Sequence, residues 1–249
     1  MSIQDIIESR TVTIPAKYCG PPNSGNGGYM CALVARCIEG IAQVYLRAPA
    51  PLEKPLTVDL LPGNRALMRD GETVLAEGSP GYLDERPPPA PTWEVAVAAS
   101  LRSPMRTYHP YPTCYGCGPE RARDDGLRIF TAQEGTLPTG FGIWEPNEAL
   151  GATGQSVDEK IVWIALDCGT GILPVVPARE MFGQKARVMT GMMTARFDRP
   201  VIIGNRYTTR SWLTATEGRK LHLGSAIYDA TGVPVASSQS LWFALPPKE

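Results

Sequence analysis

The chain has 249 residues, 43% of them apolar, so it can bury a substantial core in one large domain or two smaller ones. A net charge of -1 and an isoelectric point near 6.2 argue against nucleic acid or an anionic membrane as the main partner. The sequence has no apolar run of membrane-spanning length and no basic start followed by an apolar segment. We therefore expect a soluble cytoplasmic protein.

The first half alternates turns and short strand patterns around one apolar helix. Residues 10–18 alternate in character, and Pro15 indicates an edge strand. Asn26, Gly27 and Gly28 then lead into a helix pattern that is apolar on almost every side, with Asn26 as its predicted N-cap. Further strands are predicted at 42–48, 55–61, 65–69 and 73–77, and a short helix at 92–101.

The second half repeats this order with a longer helix and longer strands. Strands are predicted at 126–131 and 139–144, followed by a helix at 156–173. Ser156 and Glu159 form the S-x-x-E pattern of a capping box at the start of this helix. Four long strands are then predicted, at 186–198, 205–215, 220–229 and 233–244.

The two halves are one structural pattern written twice. Each half predicts a curved antiparallel sheet that wraps a central helix, which gives an α+β fold of two such units in tandem. A proline-rich loop and an irregular stretch around residue 109 separate them, so we expect an N-terminal unit over 1–104 and a C-terminal unit over 105–249. The units are expected to pack side by side, so that their sheets join and lose an exposed edge.

Asp167 is the unusual residue of the helix at 156–173. This helix is apolar all round, yet the carboxylate lies two turns inside it, where burial without a partner is costly. Burial and the negative end of the helix dipole would both raise its pKa. An ion pair with an arginine, or exposure at the helix end, is the alternative to a functional carboxylate.

Three stretches resemble the hotdog superfamily in its double-hotdog form, which includes acyl-CoA thioesterases. The Asn26-Gly27-Gly28 helix start is similar to the His/Asn-Gly-Gly start of a hotdog helix, and residues 114–129 are similar to the C-x-x-C-G-P…G-L motif of many hotdog thioesterases. Residues 196–237 resemble the C-terminal half of the thioesterase II family. The resemblance implies a tandem double hotdog that hydrolyses an acyl thioester.

The resemblance to the phenylacetate-type enzymes implies one site built from both halves. In those enzymes a glycine N–H contacts the thioester carbonyl, and a carboxylate eight residues later on the opposing helix acts as base or nucleophile. Gly27 fits the donor, with Gly28 beside it, but Ala35 stands where the acid would be. Asp167 fits the acid, but Glu159 stands where the glycine would be. Asn26, Gly27 and Gly28 are therefore expected to bind the carbonyl, and Asp167 to be catalytic.

The resemblance to thioesterase II implies two further residues that hold a water beside Asp167. Thr190 fits the threonine of that family, and Gln239 lies close to its glutamine. Gln239 comes one residue early, at the position before Ser240, and one residue on a strand changes the face of the sheet. A bulge would have to compensate for Gln239 to reach the site.

The Cys114-x-x-Cys117 pair suggests zinc or redox chemistry, but a zinc site needs four ligands. The sequence has no second such pair, and His109 is the only nearby imidazole. Cys168 lies on a predicted helix, where we expect it to be a small apolar side chain. We therefore expect no metal, a structural turn at 114–118, and no cofactor apart from coenzyme A as part of the substrate.

The leading hypothesis is thus an acyl-CoA thioesterase, with acyl-CoA or an acyl-carrier thioester as partner and no nucleic acid or membrane. The first alternative is a non-catalytic binder of acyl-CoA or a small ligand. The second is a hydratase or dehydratase, but no aspartate here has a histidine five residues later, as hotdog hydratases do. The short strands of the first half suggest a possible homodimer.

Overall fold

The computed structural model describes residues 6–83, 86–134 and 138–247, which form one sheet and four α-helices. The first half contains β1 Glu8–Thr13, α1 Gly27–Ala35, β2 Ala42–Leu46, β3 Pro55–Leu61, β4 Arg65–Asp70, β5 Thr73–Pro80 and α2 Trp93–Leu101. The second half contains β6 Thr131–Gln133, β7 Thr139–Trp144, α3 Glu159–Gly169, α4 Ile172–Phe182, β8 Arg187–Phe197, β9 Tyr207–Glu217, β10 Lys220–Tyr228 and β11 Pro234–Leu245.

All eleven strands belong to one antiparallel sheet, in the order β1-β3-β4-β5-β2-β8-β11-β10-β9-β7-β6. The two halves meet where β2 pairs with β8, with Val44 opposite Met193. The predicted joining of the two sheets is therefore confirmed, and each half loses one edge that would otherwise expose unpaired backbone groups. The division of the chain at 104/105 stays a prediction, since the halves share this sheet.

The central helices α1 and α3 pack directly on each other inside the curve of the sheet. Both are buried because they are apolar on nearly every side, as the sequence indicates. Gly28 permits the close approach: a Cβ there would lie 2.5 Å from the backbone oxygen of Trp163. On the sheet side, Ser225 on β10 donates to the Leu166 carbonyl at 2.8 Å, which fixes α3 against the strand.

The start of α3 differs from the prediction. Asp158 is the N-cap, and its carboxylate accepts from the Lys160 N–H at 2.9 Å. Ser156 instead forms an isolated β-bridge with Ile202, so no capping box is made. The predicted end at residue 173 is also wrong: α3 ends at Gly169, and Gly171, with φ of +49°, is the N-cap of a second helix, α4, which was not predicted from the sequence.

Two predicted strands are also shorter than expected, and one predicted cap is confirmed. The segment 10–18 contributes only its first residues to β1, an edge strand of the sheet, before a single helical turn at Ala16–Tyr18. The strand expected at 126–131 begins only at Thr131, because Leu127 and Ile129 bond back to the turn that contains Gly116. Asn26 caps α1, since its side chain accepts from the Tyr29 N–H at 3.2 Å.

No single helix in the described ranges is long and apolar enough to cross a membrane. The pair α3 and α4 passes that test of length and composition only when taken together, with a bend of 43° between them.

Candidate functional site

A cavity of about 370 Å³ opens where the N-terminus of α1 faces the C-terminal half of α3 and the strand β8. Its walls are mainly apolar and include Met30, Met105, Val175, Val188, Trp242 and Leu245. Asn26, Gly27, Asp167 and Thr190 line it as well. The two halves of the chain therefore both contribute to the cavity, and the resemblance to hotdog enzymes implies a site shared between the halves.

Asp167 is almost fully buried and is held by two hydrogen bonds. Its Oδ1 accepts from the Thr190 hydroxyl at 2.7 Å, and its Oδ2 accepts from the Gly28 backbone N–H at 3.1 Å. Only 3% of the residue is exposed, so it is not a side chain at the edge of solvent. Among the described residues no cationic side chain pairs with it. Neither structural alternative from the sequence is found.

Burial raises the pKa of Asp167 from 3.8 to about 7, because the charged form loses its hydration. The hydrogen bond from Thr190 and the weaker one from Gly28 act in the opposite direction, and negative charge on Cys114 adds to the increase. A carboxyl group in this state exchanges a proton near neutral pH. This is the property that a general base in a dry site requires.

The N-terminus of α1 presents one backbone donor to the cavity. Asn26 caps Tyr29, and the Gly28 N–H is occupied by Asp167. The Gly27 N–H has no partner within the part of the chain that the structure describes, and Gly27 lines the cavity. Gly28 was predicted to bind a carbonyl, but it positions the carboxylate instead. The open donor, favoured by the positive end of the helix dipole, belongs to Gly27.

The structure places Thr190 beside Asp167, where the sequence predicted it, but does not bring Gln239 to the site. Ser225 faces α3 and bonds Ser238 across the strand pair at 2.8 Å. Gln239 is the next residue on β11 and points to the opposite face. The register of β11 against β8 shifts between Leu241 and Trp242, which is beyond Gln239 and cannot turn it round.

Ser240, the position that matched the family's glutamine, does not replace it. It is buried outside the cavity, and its hydroxyl accepts from the Trp242 indole N–H at 3.1 Å. The prediction that Gln239 holds a water at Asp167 is therefore corrected. Thr190 and Gly28 are the neighbours that fix the carboxylate.

Three cysteines that the sequence treats separately come together at the cavity wall. The Sγ atom of Cys114 lies 3.6 Å from that of Cys117 and 3.7 Å from that of Cys168. Hydrogen bonds from the two neighbouring thiols hold the pKa of Cys114 well below its usual value, with Cys117 the stronger donor. The C-x-x-C pattern marked two of these residues, but nothing local marked Cys168, because it comes from α3.

Comparison with known proteins supports the architecture. No protein-family model matches the sequence, and no curated protein sequence matches it. The structure is similar to a tesB protein of Mycobacterium avium subspecies paratuberculosis, with 16% identity, a TM-score of 0.61, and coverage of 96% of this chain and 93% of that one. An acyl-CoA thioesterase II of Mycobacterium marinum matches with 10% identity, a TM-score of 0.58, and coverage of 97% and 94%.

A third similar structure is a conserved protein of unknown function with a hot dog fold from Alicyclobacillus acidocaldarius. It is 11% identical, with a TM-score of 0.57 and coverage of 97% of this chain and 95% of that one. At such identities the likeness concerns the fold, and in all three cases it extends over almost the whole chain. The protein has the double-hotdog fold that its sequence resembles.

Proposed function

We propose that the protein hydrolyses an acyl thioester, with an acyl-CoA as the substrate class and Asp167 as the general base. One observation carries this proposal. In the described part of the chain, the buried Asp167 carboxylate has no cationic partner and the Gly27 backbone N–H has no acceptor, and both line the same largely apolar cavity. The similar solved structures include an acyl-CoA thioesterase II, which supports the choice of reaction.

The arrangement accounts for each bond that changes. The Gly27 N–H donates to the thioester carbonyl oxygen, and Asp167 removes a proton from a water whose oxygen attacks the carbonyl carbon. The oxyanion that forms keeps the hydrogen bond from Gly27. When it collapses, the carbon–sulfur bond breaks, and the proton held by Asp167 passes to the leaving thiolate. The products are a carboxylic acid and a free thiol.

The cavity walls suit the acyl part of such a substrate. A thioester carries no charge near its reacting carbon, and the apolar side chains around the cavity remove an acyl chain from water at little cost. Thr190 keeps the carboxylate in one orientation, and its hydroxyl oxygen can accept a hydrogen bond from the attacking water.

An arginine paired with Asp167 would favour the binding-only alternative, and none pairs with it in the described part of the chain. The hydratase alternative lacks its histidine in the sequence. Acyl-CoA remains the proposed partner, and an acyl-carrier thioester delivers the same chemical group. The possible homodimer and the cytoplasmic location stay predictions.

The test is thiol release from short, long and aromatic acyl-CoAs by the wild type, Asp167→Asn and Asp158→Asn. We expect turnover of at least one substrate and a loss of about 10²–10⁴-fold in kcat/KM for Asp167→Asn, the usual contribution of a positioned base. Asp158→Asn changes the other aspartate of the α3 region, the N-cap, where asparagine serves equally well, so its activity should stay within about twofold of wild type.

Heat stabilisation by each acyl-CoA is measured in parallel, because a ligand that binds the folded chain raises its melting temperature. Stabilisation without turnover of any substrate would replace the hydrolase with the binder. Turnover that survives in Asp167→Asn would leave the reaction in place and remove Asp167 from it.

A further inference from the structure

Three buried cysteines form a compact cluster beside the cavity. The proposed reaction does not use these cysteines. Cys114 and Cys117 lie in the turn before β6, and Cys168 lies on α3, next to Asp167. Their sulfur atoms all lie within 4.8 Å of one another, and each residue is less than a tenth exposed. Side chains from two segments that are distant in sequence thus place their sulfur atoms close together.

The two sulfur–sulfur distances from Cys114 match the edge of a metal–thiolate tetrahedron. A Zn–S bond of about 2.3 Å puts two ligand sulfurs about 3.8 Å apart at tetrahedral angles. Cys114 lies 3.6 Å from Cys117 and 3.7 Å from Cys168, measured between Sγ atoms. These are also far from the roughly 2 Å separation of a disulfide.

Each of the three sulfurs also receives an N–H donor, as thiolate ligands of metals commonly do. The Asn26 side-chain amide lies 3.7 Å from the Cys114 sulfur and 3.6 Å from that of Cys168. His109 Nε2 lies 3.1 Å from the Cys117 sulfur, and its Nδ1 accepts from the Tyr111 N–H. The imidazole proton is therefore on Nε2 and points at the sulfur.

That tautomer makes His109 a donor to a ligand rather than a ligand itself, so three cysteines remain as the metal-binding set. The turn is shaped for this set. A Cβ at Gly116 would overlap the Cys168 sulfur, so only glycine lets α3 bring this cysteine to the turn. The three cysteines also line the cavity, so a water in the cavity can reach the cluster and complete a set of four ligands.

We infer that the thiolates of Cys114, Cys117 and Cys168 bind one Zn²⁺ ion, with a water from the cavity as the fourth ligand and Asn26 and His109 as hydrogen-bond donors to the sulfurs. Thiolate ligands select soft or borderline metals, and zinc prefers the tetrahedral geometry that the observed spacing fits. The site would tie the 114–118 turn to α3. It reverses the expectation of no metal, which counted only the two cysteines that are close in sequence.

Metal content gives the first test. The untagged full chain is purified with a phosphine reductant after growth with zinc, and zinc and copper are measured by plasma mass spectrometry. We expect one zinc per chain. Cys168→Ala should lower the zinc content at least tenfold, whereas Cys31→Ala should retain it. The pair is matched, because Cys31 is equally buried on the other central helix but lies outside the cluster.

If the cysteine variants do not fold, a cobalt titration of the metal-free wild type tests whether the cysteine cluster binds a metal ion. Tetrahedral thiolate coordination should produce a thiolate-to-cobalt charge-transfer band and intense visible bands that saturate at one equivalent, and zinc should abolish them. A folded, reduced wild type without zinc or these bands would overturn the site. Undiminished zinc in folded Cys168→Ala, or copper in place of zinc, would overturn the assignment of ligands or metal.

Discussion

The two central helices occupy similar places in the two halves but carry opposite chemistry. Helix α1 begins with glycines and presents the Gly27 N–H, which has no acceptor among the described residues, while α3 carries the buried carboxylate of Asp167 near its end. Where the N-terminus of α1 meets the end of α3, the donor and the acid share one cavity. Each helix supplies only one of the two groups that the proposed reaction uses, so the proposed centre needs both helices.

The opposite end of the same helix pair has neither the donor glycine nor the acid. A second cavity of about 480 Å³ lies there, lined by Ala35 where the acid would be and by Glu159 where the donor glycine would be. Asp158 next to it pairs with Arg36 at 3.1 Å and Lys160 at 3.2 Å. Exposed ion pairs thus border this second cavity. It has the volume of a site but not the pair of groups that the first cavity has.

Among the substitutions that test this comparison, Gly28→Ala should have the largest effect on stability and turnover. The new Cβ would lie 2.5 Å from the Trp163 carbonyl, so the helices must separate and the Gly28 N–H must leave Asp167. We expect a loss of about 3 kcal/mol in the free energy of unfolding, at the upper end of overpacking costs, together with loss of turnover. Urea denaturation measures the first and thiol release the second.

Gly169→Ala is the matched control, because it adds a methyl group on α3 at a point where no other described residue has an atom within 4 Å. Its stability should be equal to or higher than that of wild type, since alanine is the better helix former. Equal stability of Gly28→Ala and Gly169→Ala would show that the contact between the helices is not tight.

Thr190→Val should have a smaller effect, confined to the end of the helix pair with the carboxylate. Valine keeps the shape but removes the hydroxyl that donates to Asp167 at 2.7 Å. A hydrogen bond to a charged group contributes about 1.5–3 kcal/mol, so we expect kcat/KM to fall by roughly tenfold or more. Thr194→Val is the control on the same strand, since Thr194 bonds only the Met192 sulfur among the described residues. An equal fall in both variants would point to a general effect on β8.

Much of this comparison could be predicted from the sequence. The period-2 strand patterns and the apolar helices gave the repeated architecture, and Asn26, Gly27, Asp167 and Thr190 all lie at the cavity. Local patterns marked Asn26 as a helix N-cap and Asp167 as a carboxylate in an apolar helix, whereas Gly27 and Thr190 were predicted only through the resemblance to hotdog enzymes. The resemblance to hotdog enzymes also implied that the donor glycine of one half and the carboxylate of the other half face each other.

The errors come from contacts that local patterns do not record. Both Ser156 and Asp158 can cap a helix, and the bridge from Ser156 to Ile202 decides between them. The face of Gln239 depends on where the register of β11 shifts, which no turn residue marks. Cys168 meets Cys114 from 54 positions away, so ligand counting within the C-x-x-C turn could not include it.

Arg36→Gln should have the smallest effect. It tests whether changes at the second cavity leave turnover unaffected. The Arg36–Asp158 pair is about half exposed, at 52% and 42% of the two side chains, so its loss should cost less than about 1 kcal/mol. Because the pair lies at the opposite end of the helices from Asp167, kcat/KM should not change. Urea denaturation and thiol release check both. A clear change in kcat/KM would mean that the two ends are coupled through the helix contact, and that the Arg36–Asp158 pair helps to position the Asp167 carboxylate.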